Sequence, residues 1–551
     1  MWAEELGGGR ARVDLVRVTF EPHGATVEVA PGSALLEAAR AAGVALDAPC
    51  GGTGRCGSCR VRAEGALTPL SRDEQELLGG AGIAAGKRLA CRARVNGPVT
   101  VTLGGAGGDT RVVTAATDMG DLAVEPPSDR GLKRHPGSHF LLGAVVDIGT
   151  TTVAVSLIDL ENGDELGSAG MLNVQYPWGA DVMSRIASAA AEGTAVLQRP
   201  IARQVERLIA SLLVPLEGAA LADLREVAIV GNTTMMNALL GEDLTPLGQA
   251  PYEGAVLGPV SLPASELGMG LLTDAVCHIG PGASAFIGAD VVAGVLAARL
   301  DEAGQPTLYV DLGTNGEIVL SVPGRPLLAA SAAAGPALEG AGIERGMRAE
   351  GGAIERVWLA DGDLALATVG GFPPVGICGS GVLDLLAVML ETGVLAADGR
   401  ISGEVAGPLA TRVAERDGVR VFVVDEHSGV ALSQHDVRQL QLAKGAVRTA
   451  IDLVLAEAGL APDAVTDVLV AGGFGLHVDG DALERIGMVP AGWGGRLTFL
   501  GNAAKEGGRR ALVDSGVRRR AEGIAQSIRT LSLAEHADFQ AHFLGSLDFP
   551  Q

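Results

Sequence analysis

Four cysteines constrain this 551-residue chain more than any other feature. Cys50, Cys56 and Cys59 stand in Cys50-Gly-Gly-Thr-Gly-Arg-Cys56-Gly-Ser-Cys59, and Cys91 follows after 31 further residues. Four thiolates are the usual complement for a [2Fe–2S] cluster. Three of them come from one loop that must wrap the inorganic core. Such a loop needs glycine where the backbone turns at positive φ or runs close to sulfide. Gly51, Gly52, Gly54 and Gly57 meet that need. Zinc also accepts four cysteines, but its sites usually pair two C-x2-C knuckles, whereas the fourth ligand here stands alone. Six cysteines in all make no disulfide framework. The two left over, Cys277 and Cys378, read as small buried hydrophobes.

The residues around these cysteines read as strands about one helix. Leu15 to Phe20 and Ala25 to Val29 suggest a hairpin. Ser33 can cap a helix over 34–42, with Leu35, Leu36 and Ala39 on one face. Cys59 to Ala63, Leu89 to Val95 and Val99 to Leu103 read as further strands. This is the order of an α+β β-grasp domain over residues 1–104. The x5 spacing is closer to adrenodoxin-type ferredoxins than to the x4 plant type, and Leu89-Ala90-Cys91 resembles the fourth-ligand strand of both.

A chain of this length needs two to four cores. With 80 glycines, 47% hydrophobic residues and 3% aromatics, it suits an α/β protein with many tight turns. The formal net charge of −23 argues against a nucleic-acid partner, which requires basic patches. Met1 to Arg12 has no apolar targeting core. No apolar run approaches the roughly 18 residues of a membrane span, so a cytoplasmic location without a membrane partner is the expectation.

Residues 105–140, with Gly104-Gly105-Ala106-Gly107-Gly108 and Glu125-Pro126-Pro127-Ser128, read as a flexible linker with one short strand at Arg111 to Thr114. Beyond it the chain is weakly duplicated. Ala144-Val145-Val146-Asp147-Ile148-Gly149-Thr150-Thr151 is echoed by Leu308-Tyr309-Val310-Asp311-Leu312-Gly313-Thr314-Asn315. Later in each half comes a buried strand ending in glycine, Val227 to Gly231 and Val468 to Gly472. Two similar α/β halves, 141–306 and 307–551, imply a cleft between them.

A strand ending in Asp-x-Gly-Thr suits phosphate. Gly149 allows a tight turn, and its N–H groups and the Thr150 and Thr151 hydroxyls can contact phosphate oxygens. Asp147 can hold Mg²⁺ through water. Asp311, Gly313, Thr314 and Asn315 can do the same from the other half, with Glu317 close by. Together with Ala471-Gly472-Gly473-Phe474-Gly475, this set resembles the superfamily of acetate and sugar kinases, heat-shock-type chaperones and actin. That resemblance makes the second part an actin-like ATPase, with Asp147 and Asp311 in phosphate motifs and Gly472 and Gly473 in the adenosine motif.

The combination of ferredoxin domain, linker and actin-like ATPase resembles the reductive activators of corrinoid proteins over nearly the whole chain. The resemblance is carried by 178–186 (Trp-Gly-Ala-Asp-Val-Met-Ser-Arg-Ile), 231–236 (Gly-Asn-Thr-Thr-Met-Met) and 311–317 (Asp-Leu-Gly-Thr-Asn-Gly-Glu). It is also carried by 335–341 (Gly-Pro-Ala-Leu-Glu-Gly-Ala), 376–381 with Gly379 and Ser380, and 440–445 (Leu-Gln-Leu-Ala-Lys-Gly). It implies an ATP- and Mg²⁺-dependent enzyme that returns a Co(II) corrinoid protein of a methyltransferase system to Co(I). The electron would come from the [2Fe–2S] cluster and, ultimately, from an external low-potential reductant. No cysteine follows Cys378, which excludes a C-terminal [4Fe–4S] variant. Gly501-Asn502-Ala503-Ala504 departs from a family pattern that carries a hydroxyl there. Ala329 to Gly335, a run of small residues after the second-half hairpin, reads either as a turn packing against the phosphate hairpin or as a loop able to approach a corrin, with Ser331 its only side chain bearing a ligating atom. Rival readings are an activator of another low-potential metalloenzyme, a small-molecule kinase with an appended ferredoxin, and a nucleotide-binding redox sensor.

Overall fold

The computed structural model describes residues 15–550 except 22–23, 43, 45, 47–51, 53, 55–58, 103–115, 118, 121, 254–255, 404–407, 417 and 473–477. It divides into two compact units, one comprising residues up to 108 with 174–180, the other comprising the rest.

The N-terminal unit is a five-stranded sheet. Alternating apolar residues form β1 (Val16–Glu21) and β2 (Ala25–Val29), an antiparallel hairpin. α1 (Leu35–Ala42) follows, burying Leu35, Leu36, Ala38 and Ala39. Then come β3 (Arg60–Leu67), α2 (Arg72–Ala84), β4 (Lys87–Leu89) and β5 (Val95–Thr102). The order is β2-β1-β5-β3-β4, with β5 parallel to β1 and antiparallel to β3, as in a β-grasp fold. Two sequence expectations change here. α2 was not foreseen, and Leu89 to Val95 is not one strand but the end of β4, a turn over 90–92 and the start of β5. Buried Glu74 explains the interruption: it holds Arg88 Nε at 2.9 Å and accepts from the Leu89 N–H at 3.2 Å, pinning the chain where it turns.

The second unit contains the duplication. β6 (Leu142–Ile148), β7 (Thr152–Asp159) and β8 (Glu165–Leu172) form an antiparallel meander. α3 (Val182–Glu192) and α4 (Ala195–Leu213) lead to β9 (Leu224–Gly231), parallel to β6, and then to α5 (Thr233–Leu240). β10 (Val260–Pro263), β11 (Val276–Ile279) and α6 (Ala289–Ala297) complete the first half. The second half begins with the meander β12 (Thr307–Leu312), β13 (Gly316–Ser321) and β14 (Leu328–Ala332). An insertion follows: β15 (Ala353–Ala360), β16 (Asp363–Thr368), β17 (Gly376–Ile377), α7 (Gly379–Glu391), β18 (Val413–Arg416), β19 (Val419–Asp425) and β20 (Val430–Ser433). α8 (Gln434–Ala458), β21 (Asp467–Ala471), α9 (Gly480–Arg485), β22 (Leu497–Gly501), α10 (Ala503–Val513), α11 (Ser515–Ser527), β23 (Arg529–Thr530) and α12 (Phe539–Gly545) end the chain.

The two large sheets share a five-strand order, β11-β9-β6-β7-β8 and β22-β21-β12-β13-β14, to which β10 and β23 are added at opposite edges. In both, a hairpin meander is extended by a parallel strand entering beside its first strand. The halves are not independent, because α10 lies on β6, β9 and α6 of the first half. A Cβ on Gly507 would lie within 1.9 Å of the Ala293 carbonyl oxygen, so the two helices cross at a point that only glycine allows.

The expected linker is, in its described part, folded structure. Residues 103–115, including the expected strand at Arg111 to Thr114, lie outside the described residues. From Ala116 onward the segment is part of the second unit. Ala116 bridges Gly501, Thr117 N–H donates to Leu500 O at 3.0 Å, and Glu125 N–H donates to Val513 O at 3.0 Å. Buried Arg130 ties it down, donating to Glu226 Oε2 at 2.8 Å and Leu512 O at 2.7 Å. Its polar composition reads as solvated, but Thr117 and Glu125 hydrogen-bond through their backbone to the far end of the chain.

The expected loop at Ala329 to Gly335 is also different. Most of it is β14, with Ala329, Ala330 and Ala332 buried, and Ser331 pairs with Glu317 on β13. The side chains are small because α8 packs on this strand, not to admit a macrocycle.

Candidate functional site

In the N-terminal unit, Cys59 precedes β3 and Cys91 lies in the turn after β4. Their Sγ atoms are 3.3 Å apart and both residues are buried. Two thiolates this close can share one tetrahedral iron. Cys50 and Cys56, with Gly51 and Gly57, lie outside the described residues. Gly52 and Gly54 have φ of 95° and 78°. A Cβ on Gly54 would lie 2.2 Å from the Arg92 guanidinium. The donor set and the glycine loop therefore fit a [2Fe–2S] group.

In the second unit, the two Asp-x-Gly-Thr hairpins face one cleft. Asp147, Gly149, Thr150 and Thr151 line it from the β6–β7 hairpin. Asp311, Gly313, Thr314, Asn315 and Glu317 line it from β12–β13, and Gly379, Ser380 and Gly472 also reach it. Gly379 and Ser380 begin α7, whose first N–H groups suit an anion. Gly472 has φ 110°, and a Cβ there would stand 2.1 Å from Leu312 O, so β21 can close beside β12 only as glycine. Gly473 lies outside the described residues. Ser331 does not line the cleft; it donates to Glu317 Oε1 at 3.1 Å.

The first hairpin is braced from behind by three segments singled out in the sequence and by Asn173, which was not. Asn232 caps α5 and donates to Thr150 Oγ1 at 3.0 Å. Buried Asn173 donates to Gly149 O at 2.8 Å, and buried Arg185 donates to Thr150 O. Asn502 caps α10 and donates to Asp147 Oδ2 at 2.8 Å. The family hydroxyl missing from Gly501-Asn502-Ala503-Ala504 is thus accompanied by an amide that holds the cleft aspartate.

Asp290, at the start of α6, was missed by sequence reasoning. It sits in no duplicated motif, and only the fold carries it to the cleft. Burial pushes its carboxyl up to about 8, with Asp311 and Asp147 adding repulsion. Burial likewise raises Asp311 to about 6. Asp147 also rises to about 6 through burial, although Asn502 pulls it down. Burial beside Asp290 and Asp311 holds Glu317 well above the carboxylate range. Such a cluster of desolvated acids favours a cation. Among the described residues no three acidic, histidine or cysteine side chains are grouped to hold a metal ion. A cation here would therefore bring its remaining ligands as water and phosphate.

The leftover cysteines are buried. Burial pushes Cys277 up to about 12 and also raises Cys378, which lines the cleft. No helix among the described residues is long and apolar enough to cross a membrane.

Known proteins share both units. The model for the RACo middle region matches residues 142–303, and that for the C-terminal domain of RACo, its ASKHA domain, matches 305–551. A model for the 2Fe-2S iron-sulfur cluster binding domain matches 18–96. The chain belongs to the RACo family. This RACo-family chain is 31% identical over 385 residues to corrinoid activation enzyme RamQ of Eubacterium limosum, covering 68% of this chain and 64% of that one. It is 25% identical over 444 residues to a [Co(II) methylated amine-specific corrinoid protein] reductase of Methanosarcina barkeri, covering 74% and 77%. A solved reductive activator for corrinoid,iron-sulfur protein aligns with a TM-score of 0.71 and 27% identity, over 97% of this chain and 98% of that chain. The N-terminal unit is accordingly a [2Fe–2S] domain and the second unit an actin-like nucleotide-binding domain.

Proposed function

We propose that this protein is an ATP-dependent reductive activator that returns a partner's corrinoid from Co(II) to Co(I). The observation that carries the reading is the union, on one chain, of a cluster-binding domain with a duplicated phosphate cleft, in an arrangement aligned end to end with a reductive activator. When bound to Cys50, Cys56, Cys59 and Cys91, the [2Fe–2S] group supplies one-electron transfer. Plant-type centres lie near about −400 mV. Each 59 mV of uphill one-electron transfer costs about 1.4 kcal/mol. A gap of one to two hundred millivolts is then about 2–5 kcal/mol, within reach of nucleotide-gated binding of one partner state.

Within the cleft, Asp147 and Asp311 would hold Mg²⁺ through water, and the ion would neutralise phosphate charge there. The turns at Gly149–Thr151 and Gly313–Asn315, and the start of α7 at Gly379 and Ser380, bind phosphate. Gly472 and Gly473 flank the adenosine. Asp290 and Glu317 line the same cleft and would face the water around that cation. The partner is the corrinoid protein of a methyltransferase system, served by an external low-potential reductant, in the cytoplasm and away from nucleic acid and membrane. Ser331 has no cobalt-facing role in this reading, because it lies in β14.

The test mixes anaerobic protein, a candidate Co(II) corrinoid protein, Mg²⁺, ATP and a reductant, and follows Co(I) absorbance. Wild type should form Co(I) only with ATP, while Asp147→Ala and Asp311→Ala should not, with their clusters intact. ATP-independent Co(I) formation, or wild-type rates in both variants, refutes it.

A further inference from the structure

The tips of the two hairpins touch. Thr151 Oγ1 and Thr314 Oγ1 are 3.0 Å apart, and Thr314 donates to Glu339 Oε1 at 3.0 Å. A hydroxyl carries one proton, and an ionised carboxylate only accepts. Thr314 gives its proton to Glu339, so Thr151 must be the donor between the threonines. The chain runs one way, from Thr151 through Thr314 to Glu339. Neither hydroxyl proton remains for a phosphate oxygen.

The carboxylate also lies over the second turn. A Cβ on Gly313 would stand 3.7 Å from Glu339 Oε1. Glu339 lines the cleft at the end of the short turn Pro336–Glu339, whose Ala337 and Leu338 are buried. Gly335 and Gly340 flank the turn at φ 74° and 79°. Its backbone is anchored while its one charged side chain reaches into the cleft. An anion thus occupies the donors that the nucleotide reading assigns to phosphate.

We propose that Glu339 is a built-in competitor of the nucleotide, its carboxylate holding a phosphate-oxygen position on the hairpin tips until a triphosphate displaces it. The inference rests on the nucleotide reading above and adds to it a displaced group. With phosphate in place, Thr151 and Thr314 donate to its oxygens, and Glu339 loses its donor and turns away from like charge. The turn over 336–341 is then released, so occupancy of the cleft becomes a change in backbone order beside β14.

Glu339→Gln and Glu339→Ala in the full chain, titrated by calorimetry with ATP, tripolyphosphate and adenosine at fixed Mg²⁺, test it. Both variants should bind ATP and tripolyphosphate about tenfold tighter than wild type, equivalent to about 1.4 kcal/mol. Adenosine should bind all three proteins equally. Unchanged ATP affinity in the variants overturns the proposal; weaker affinity also does, by making Glu339 a helper of the bound cation. Failure of wild type to bind ATP refutes the nucleotide reading itself, whatever the variants do. A second measurement needs no variant. The Gly340 and Ala341 N–H groups close the turn onto Ala337 O and Pro336 O. ATP should speed hydrogen exchange at both in wild type, and unchanged or slower exchange there overturns the proposal.

Discussion

Replacing Asp290 with asparagine should stabilise the nucleotide-free protein while removing its cation-dependent turnover, and the stabilisation should grow with pH. Asp290, Asp147 and Asp311 share one desolvated cleft, which lifts Asp290 to about 8 and the other two to about 6. In an unfolded chain such carboxyls titrate near about 4. Between about pH 4 and pH 8 the folded state therefore binds more protons than the unfolded state, and stability falls as pH rises through that window. A tenfold difference in a carboxylate's proton affinity between the two states is worth about 1.4 kcal/mol. Asp290 alone thus costs up to about 4 kcal/mol between pH 5 and pH 8. Relaxation and hydration of the cleft reduce that, so an advantage of about 2 kcal/mol at pH 8 is expected, shrinking towards pH 5. Urea unfolding in EDTA, followed by fluorescence of the buried Trp493, measures it. Adding Mg²⁺ and ATP should narrow the gap, because a cation in the cleft offsets the Asp290 charge that only the wild type carries. A gap that is constant from pH 5 to pH 8, or a wild type that is the more stable at pH 8, would refute the argument.

Asn502→Ala removes both the cap of α10, worth about 1 kcal/mol, and the donor to Asp147. Calorimetry of Mg²⁺·ATP should show weaker binding and a midpoint moved to higher pH, since Asp147 then ionises later. Cys59→Ser should lose iron and the spin signal of the reduced cluster yet bind ATP normally, while Cys277→Ser should keep its iron, both checked by metal analysis. Arg130→Met leaves Glu226 buried with only His278 at 3.1 Å and Arg518 at 3.6 Å. It should destabilise the second unit by about 3 kcal/mol in urea, and no change would mean that the 116–140 segment is an ornament.

What the sequence revealed and what it concealed have physical reasons. The cysteine spacing and the repeated Asp-x-Gly-Thr are local, because chemistry at a turn demands particular residues side by side. The duplicated sheet was legible for the same reason, since each copy begins with such a turn. α2 was not legible: Gly79, Gly80 and Gly82 weaken its helical pattern, and it breaks at Gly79 with φ 63°. The segment after 116 looked like a linker because its prolines and glycines are those of a solvated chain, while its partners lie nearly four hundred residues away. Ala329 to Ala334 could be read as a packed turn or an open loop for want of large side chains; most of it is a strand, with Ala329, Ala330 and Ala332 packed. Asp290 and Glu339 could not be assigned from spacing at all. One begins a helix and the other ends a turn, and only folding brings them to the hairpins.

The position of α10 bears on how the chain is made. The helix that covers β6 and β9 of the first half lies at Ala503–Val513, about two hundred residues after α6 ends at Ala297. At about 5–20 residues per second of synthesis, that apolar face waits about 10–40 s for its cover after the first half has emerged from the ribosome. Chaperones that bind apolar segments therefore have a window in which to act. Slow codons between 300 and 500 would lengthen it, and the yield of active protein should depend on translation speed over that stretch more than over the N-terminal hundred residues.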